Sequence, residues 1–242
     1  MVKKLFLSSL LVISTAVFAQ DKHWSYEGET GPEHWADLAP ENFWCKLKNQ
    51  SPVDISNTVE GQNPKLEISY KKEEDYKIIN NGHTLQVNVP PANFVSLNGK
   101  AYQLIQFHFH SPSEHTIKGK NYPMELHLVH KSDKGELLVI GVMIKEGPSN
   151  GILREIFNQA PVEEGEKELK LPFNIYSLLP KNRDYYLYSG SLTTPPCTEG
   201  VTWIVLKTPI TASKDEIEKF RTIMKHPNNR PIQPLNSRFI LK

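Results

Sequence analysis

Cysteine is scarce in this chain, with two among 242 residues. That excludes a disulfide-built miniprotein and a metal module with four cysteine ligands. A surplus of either charge is also missing. Lys+Arg total 28 and Asp+Glu 27, for a formal net charge of +1. The chain therefore carries no electrostatic footprint for nucleic acid and no polybasic membrane patch. Beyond residue 19 no apolar run is long enough to cross a bilayer. No repeat period and no low-complexity linker divides the chain, so one large domain is expected. Hydrophobic residues at 38% and charged residues at 23% suffice for a packed core. What is plentiful is turn chemistry: 18 Pro and 13 Gly, with 10% aromatics, suit strands and turns better than a helical bundle.

The first nineteen residues read as an address. Lys3 and Lys4 precede a short apolar stretch, and Val17-Phe18-Ala19 places small residues at the minus-three and minus-one positions before Gln20. This is the pattern of a secretory signal peptide, residues 1–19, cleaved to leave a domain over 20–242. The stretch is short for a membrane span of ~20 residues. The mature protein is expected in the periplasm or secreted, with no membrane attachment after cleavage. In an oxidising compartment Cys45 and Cys197 can pair, closing a loop that the chain-entropy account values at up to ~5 kcal/mol. Two buried free thiols remain the alternative, because sequence does not supply bond geometry.

The body reads as strands and hairpins. Short strands are expected over 87–89, 93–97 and 101–105, with Asn98-Gly99 as a hairpin turn. Continuous apolar runs at 137–144 and 201–206 suit strands buried on both faces. Ser213 and Glu216 form a capping box, and Ile217, Phe220 and Met224 follow at helical spacing, which predicts a helix over 214–224. A shorter helix is expected over 152–158.

Gln106-Phe107-His108-Phe109-His110 is the most informative segment. Side chains alternate along a strand, so His108 and His110 share one face with Gln106. A second strand, Glu125-Leu126-His127-Leu128-Val129-His130, puts Glu125, His127 and Val129 together. The stretch 111–123 is long enough for the two strands to lie antiparallel and bring His127 to the pair. Three neutral imidazoles suit Zn2+, leave a fourth position for water and leave the ion its full charge. Gln106 and Glu125 are placed to accept ring N–H protons from behind. Two core histidines in an ordinary strand are the bland alternative.

Several strings together resemble the α-class carbonic anhydrases, in order and over nearly the whole mature chain. They are Gly31-Pro32-Glu33-His34-Trp35, Gln50-Ser51-Pro52-Val53-Asp54, Asn80-Asn81-Gly82-His83, Gln106–His110, Ser113-Glu114-His115, Glu125–His130, Ser191-Leu192-Thr193-Thr194-Pro195-Pro196 and Asn229-Arg230-Pro231-Ile232-Gln233-Pro234. The resemblance implies a mainly β (α+β) single domain on a large, mostly antiparallel central sheet of about ten strands with short peripheral helices.

It also implies reversible hydration of carbon dioxide to bicarbonate and a proton, by attack of zinc-bound hydroxide. His108, His110 and His127 match the zinc ligands. Thr193 and Glu114 match the pair that orients the hydroxide, and Thr193 and Thr194 match the positions that contact bicarbonate. His83 matches the proton shuttle; its turn suggests a place near solvent. Tyr26, Asn81 and Gln86 match the positions that order a water chain, with Gln86 where Asn is common. Val129, Val139, Leu192, Val201 and Trp203 match the apolar wall that receives the substrate. His115 and His130 look like buried structural residues, while His23, His34 and His226 show no site pattern. Cys45 and Cys197 match a pair disulfide-linked in many exported members. Homodimers occur among similar bacterial enzymes, although no interface is legible here. A periplasmic zinc or copper carrier, or a non-catalytic module on the same fold, are the rival readings.

Overall fold

The computed structural model describes residues 23–242. The expected signal peptide, 1–19, lies outside the described residues. Among them, no helix is long and apolar enough to cross a membrane.

Twelve strands form one sheet: β1 (Thr58–Val59), β2 (Leu66–Ser69), β3 (Tyr76–Asn80), β4 (Leu85–Asn88), β5 (Phe94–Leu97), β6 (Lys100–His110), β7 (Met124–Lys131), β8 (Leu137–Glu146), β9 (Gly165–Leu169), β10 (Tyr185–Ser191), β11 (Glu199–Ala212) and β12 (Ile240–Leu241). Ten of them run in the order β9-β3-β4-β6-β7-β8-β11-β10-β12-β1, with β5 added to β6 and β2 to β5. Only β8–β11 and β12–β1 pair in parallel. The two central strands, β8 and β11, carry the continuous apolar runs. Such runs are what burial on both faces requires.

The sheet separates two apolar layers. On its back, Leu104, Phe107, Phe109, Leu126, Leu128 and Ile140 belong to the main core. The helices α1 (Gly151–Gln159) and α2 (Lys214–Met224) close it, with Phe157 and Phe220 at 5.1 and 6.1 Å from the Phe109 ring. Each such buried aromatic contributes ~1.5–3 kcal/mol. Both parts of the Ser213–Glu216 capping box are formed at the start of α2. On the front, Val53, Ile55, Val139, Met143, Val201, Trp203 and Val205 make a second, smaller cluster.

The stretch 101–105 and the segment 106–110 are one continuous strand, β6, not two. A register shift separates the pairs Val129–Gln106 and His130–Leu104, so Ile105 is the extra residue. The hairpin between β5 and β6 turns at Asn98 and Gly99 with φ of 50° and 82°, the left-handed pair such a turn needs. Cys45 and Cys197, 152 positions apart in sequence, are disulfide-bonded. The bridge ties the N-terminal segment to the loop between β10 and β11.

Candidate metal centre and its surroundings

The register of β6 and β7 brings the three histidines together. His127 lies directly opposite His108, and Glu125 opposite His110. Ring centroids are 5.0 Å apart for His108 and His110, 5.3 Å for His108 and His127, and 4.6 Å for His110 and His127. One nitrogen from each ring lies within 4.8 Å of the other two.

Hydrogen bonds decide which nitrogen faces the centre. His108 Nδ1–H donates to Gln106 Oε1 at 2.8 Å, and His110 Nδ1–H to the Asn228 carbonyl at 2.7 Å. His127 Nε2–H donates to Glu125 Oε1 at 2.9 Å. The remaining atoms, Nε2 of His108, Nε2 of His110 and Nδ1 of His127, carry lone pairs toward one point. His110 Nε2 is buried without a partner among the described residues. A buried acceptor left bare is costly unless something binds it. Burial pushes all three imidazoles below their ordinary pKa, His110 to about 4, so they are neutral as ligands must be. Three bare imidazole nitrogens fit a tetrahedral zinc ion with one position left over.

Glu125 is the hub behind the three imidazoles. Its Oε1 accepts from His115 Nδ1–H as well as from His127, and its Oε2 accepts the backbone N–H of Glu114 and His115, both at 2.9 Å. The two neighbouring imidazoles and these hydrogen bonds outweigh burial and hold its pKa well below the usual carboxylate range. Gly141, paired with His127 across the other edge of β7, leaves room for it; a Cβ there would come within 2.9 Å of Glu125 Oε1. His115 Nε2 accepts from the Tyr188 hydroxyl at 2.7 Å, and His130 Nε2 from that of Tyr70 at 2.7 Å.

Glu114 is fully buried beside the ligands, with Oε2 3.5 Å from His110 Nε2 and 3.8 Å from His127 Nδ1. Burial raises its pKa to about 7 against the lowering effects of His127, the Arg230 N–H and the Thr193 hydroxyl. Thr193 thus faces this carboxylate, yet Oε2 accepts no hydrogen bond of good geometry. Thr193 is 5% exposed; Thr194 is half-buried, and its carbonyl accepts the Cys197 N–H at 2.8 Å. Val129, Val139, Leu192, Val201 and Trp203 all belong to the front apolar cluster, and the Trp203 ring lies 4.9 Å from that of His127.

His83 is less open than its turn suggests. Its ring stacks on Trp24 at 3.6 Å and lies 4.8 Å from His23, and its Nε2 is buried without a partner among the described residues. Burial, with His23 and His226 nearby, lowers its pKa to about 4. His23 and His226, which show no pattern in the sequence, line a cavity of about 310 Å3 with His83, Tyr26 and Glu164. The Tyr26 hydroxyl is buried without a partner among the described residues. Asn81 is exposed and spends its Oδ1 on the backbone N–H of His83 and Thr84; Gln86 donates to Asn88 at 2.8 Å. Sequence reading also passed over Asn228, the carbonyl partner of His110, and the side chain of Arg230. Both sit in or beside the Asn-Arg-Pro string, which was the available signal.

The family description "Eukaryotic-type carbonic anhydrase" matches residues 30–242. A carbonic anhydrase of Pectobacterium carotovorum is 44% identical over 241 residues, spanning 98% of each chain. Among solved structures, the α-carbonic anhydrase of Thermovibrio ammonificans in complex with the inhibitor sulfanilamide superposes with a TM-score of 0.88 at 47% identity, covering 91% of this chain and 99% of that one. A hyperthermostable carbonic anhydrase from a hydrothermal vent chimney gives a TM-score of 0.88 at 52% identity, covering 90% and 99%.

Proposed function

The chain belongs to the eukaryotic-type carbonic anhydrase family, and from that premise we propose that it hydrates carbon dioxide reversibly to bicarbonate and a proton, with one zinc ion held by His108, His110 and His127. The observation that carries this reading is the convergence of three bare imidazole nitrogens, each ring fixed from behind, beside a dry apolar wall. A zinc ion among three neutral ligands supplies Lewis acidity, bringing the pKa of an adjacent water to about 7.

The chain's own residues do the rest. Gln106, Asn228 and Glu125 fix ring orientation and tautomer, so ligand geometry is set before substrate arrives. Thr193, facing Glu114, holds the attacking oxygen with a lone pair toward the substrate carbon. Val129, Val139, Leu192, Val201 and Trp203 receive the uncharged carbon dioxide, and Thr194 contacts the bicarbonate formed. Tyr26, Asn81 and Gln86 border the water path to His83, which takes up the released proton and passes it to solvent. Stacked on Trp24, that imidazole is a weak base, and turning its ring off the stack toward water would restore its ordinary affinity for a proton. Cleavage of 1–19 and residence in the periplasm or outside the cell agree with the disulfide, a bond of oxidising compartments.

Stopped-flow hydration before and after chelation tests the reading. Activity that disappears with the metal and returns with added zinc is expected. A chain that binds zinc stoichiometrically without hydrating carbon dioxide would be a carrier or binding module instead.

A further inference from the structure

The Glu114 carboxylate makes one hydrogen bond among the described residues: Oε1 accepts the backbone N–H of Arg230 at 2.8 Å. That donor lies on a C-terminal stretch without regular secondary structure, so neither a ladder nor a helix holds it in place. Its own side chain ties it down, between the Asn228 N–H bond to Ser111 and the Gln233 N–H bond to Pro52. Arg230 is 2% exposed, and its guanidinium donates through Nη1 to Gln50 Oε1 at 2.8 Å and the Ser51 carbonyl at 2.9 Å, and through Nη2 to the Cys45 carbonyl at 3.1 Å. It also lies over the Trp35 ring at 5.4 Å.

The acceptor segment reaches on to the loop that carries Thr193. Gln50 Nε2 donates to the Cys197 carbonyl at 3.2 Å, the Ser51 N–H donates to Ser191 Oγ at 2.9 Å, and the disulfide joins Cys45 to Cys197. Glu114 and Thr193 are thus attached to one frame whose joint is the Arg230 fork. The Arg230 Nε–H is buried with no partner among the described residues, a costly arrangement for a residue that only filled space.

We propose that Arg230 is a positioning residue: its guanidinium, locked onto the segment around Gln50 and Ser51, sets the separation between the Glu114 carboxylate and the Thr193 hydroxyl. A planar five-donor fork can do this where a lysine ammonium cannot. The inference rests on carbon dioxide hydration as the activity. The rival is that Asn228, which bonds Ser111, Phe109 and His83 two residues earlier, holds the stretch by itself.

The test is Arg230→Lys in the zinc-loaded protein, with Gln50→Leu as second variant should the first fail to fold. Arg230→Lys is expected to keep stoichiometric zinc and a KM within about twofold of the parent. Its kcat should fall about tenfold, the consequence of a sub-ångström displacement. Gln50→Leu, which also cuts the link to Cys197, should lose about threefold in kcat on the same grounds. In NMR spectra of the metal-free and zinc-loaded chains, the amide proton of residue 230 should move upfield in Arg230→Lys as its carboxylate bond lengthens. A kcat per folded, zinc-loaded molecule equal to the parent's, with only a lower Tm and an unmoved amide signal, overturns the proposal. A parent chain that binds zinc but hydrates nothing instead defeats the functional reading, and is recognised before any variant is measured.

Discussion

The two halves of the site are built by different physics. The ligand half stands on β6 and β7, where backbone ladders set positions and period-2 alternation sets directions. His108, His110, His127 and Glu125 share the front face because their registers are locked by pairing with β4 and β8. The other half, Glu114, Thr193 and His83, stands on loops. There the fixing agents are buried side-chain hydrogen bonds, a disulfide and aromatic stacking. A sheet face tolerates a lost hydrogen bond because its neighbours keep the register. A loop held by a few long-range bonds does not.

The largest effect should come from the strand half. His127→Ala leaves two ligands, and hydration should fall about a thousandfold or more with the loss of zinc. Circular dichroism should show the sheet intact; a variant that holds zinc at parental strength would remove His127 from the ligand set. Next comes the loop half with the metal in place. Thr193→Val should cost about a hundredfold in kcat while zinc content stays stoichiometric, separating orientation from metal binding. Unaltered turnover would show that Thr193 does nothing at the reacting atoms. His83→Ala should slow turnover about tenfold or more in weak buffer, with recovery on adding imidazole. Turnover that ignores both the substitution and the rescue removes His83 from the proton path.

Stability separates the halves as well. Cys45→Ser should cost about 2–5 kcal/mol, read as a lower urea midpoint, with the loop half opening to hydrogen exchange before the strands. Equal exchange in both would mean that the disulfide braces nothing local. The last effect, one of pH, is small at each step. Burial holds His130 near 3, well below its ordinary 6.5. Above pH 6.5 both folded and unfolded chains keep it neutral and its contribution is whole. As pH falls from 6.5 toward 3 the unfolded chain binds a proton that the folded chain refuses, so stability drops by at most about 1.4 kcal/mol per pH unit. Replacing His130 with Asn should flatten the urea-derived slope between pH 6.5 and 4; an unchanged slope would place the acid sensitivity elsewhere.

Local order and the meeting of the three histidines were legible before any coordinates. Alternation placed His108, His110 and His127 on one face, because a strand admits only two side-chain directions. Ser213 and Glu216 announced α2, because a capping box satisfies helix-end donors within four residues. The scope of the sheet was nearly right: ten strands lie on its main path, and two more extend it beside β6. The bulge at Ile105 was not legible, since an inserted residue shows only against its partner strand.

The sequence alone therefore determined which three histidines can meet and the face they share, since both follow from a periodicity of two residues. Tertiary structure alone decided which nitrogen of each ring faces inward, that His83 lies stacked under Trp24 and His23, and that Arg230 anchors Glu114. The His110–Asn228 and Arg230–Gln50 bonds join residues 118 and 180 positions apart. No local rule of backbone geometry connects such partners; they meet only because the whole chain has closed around one sheet.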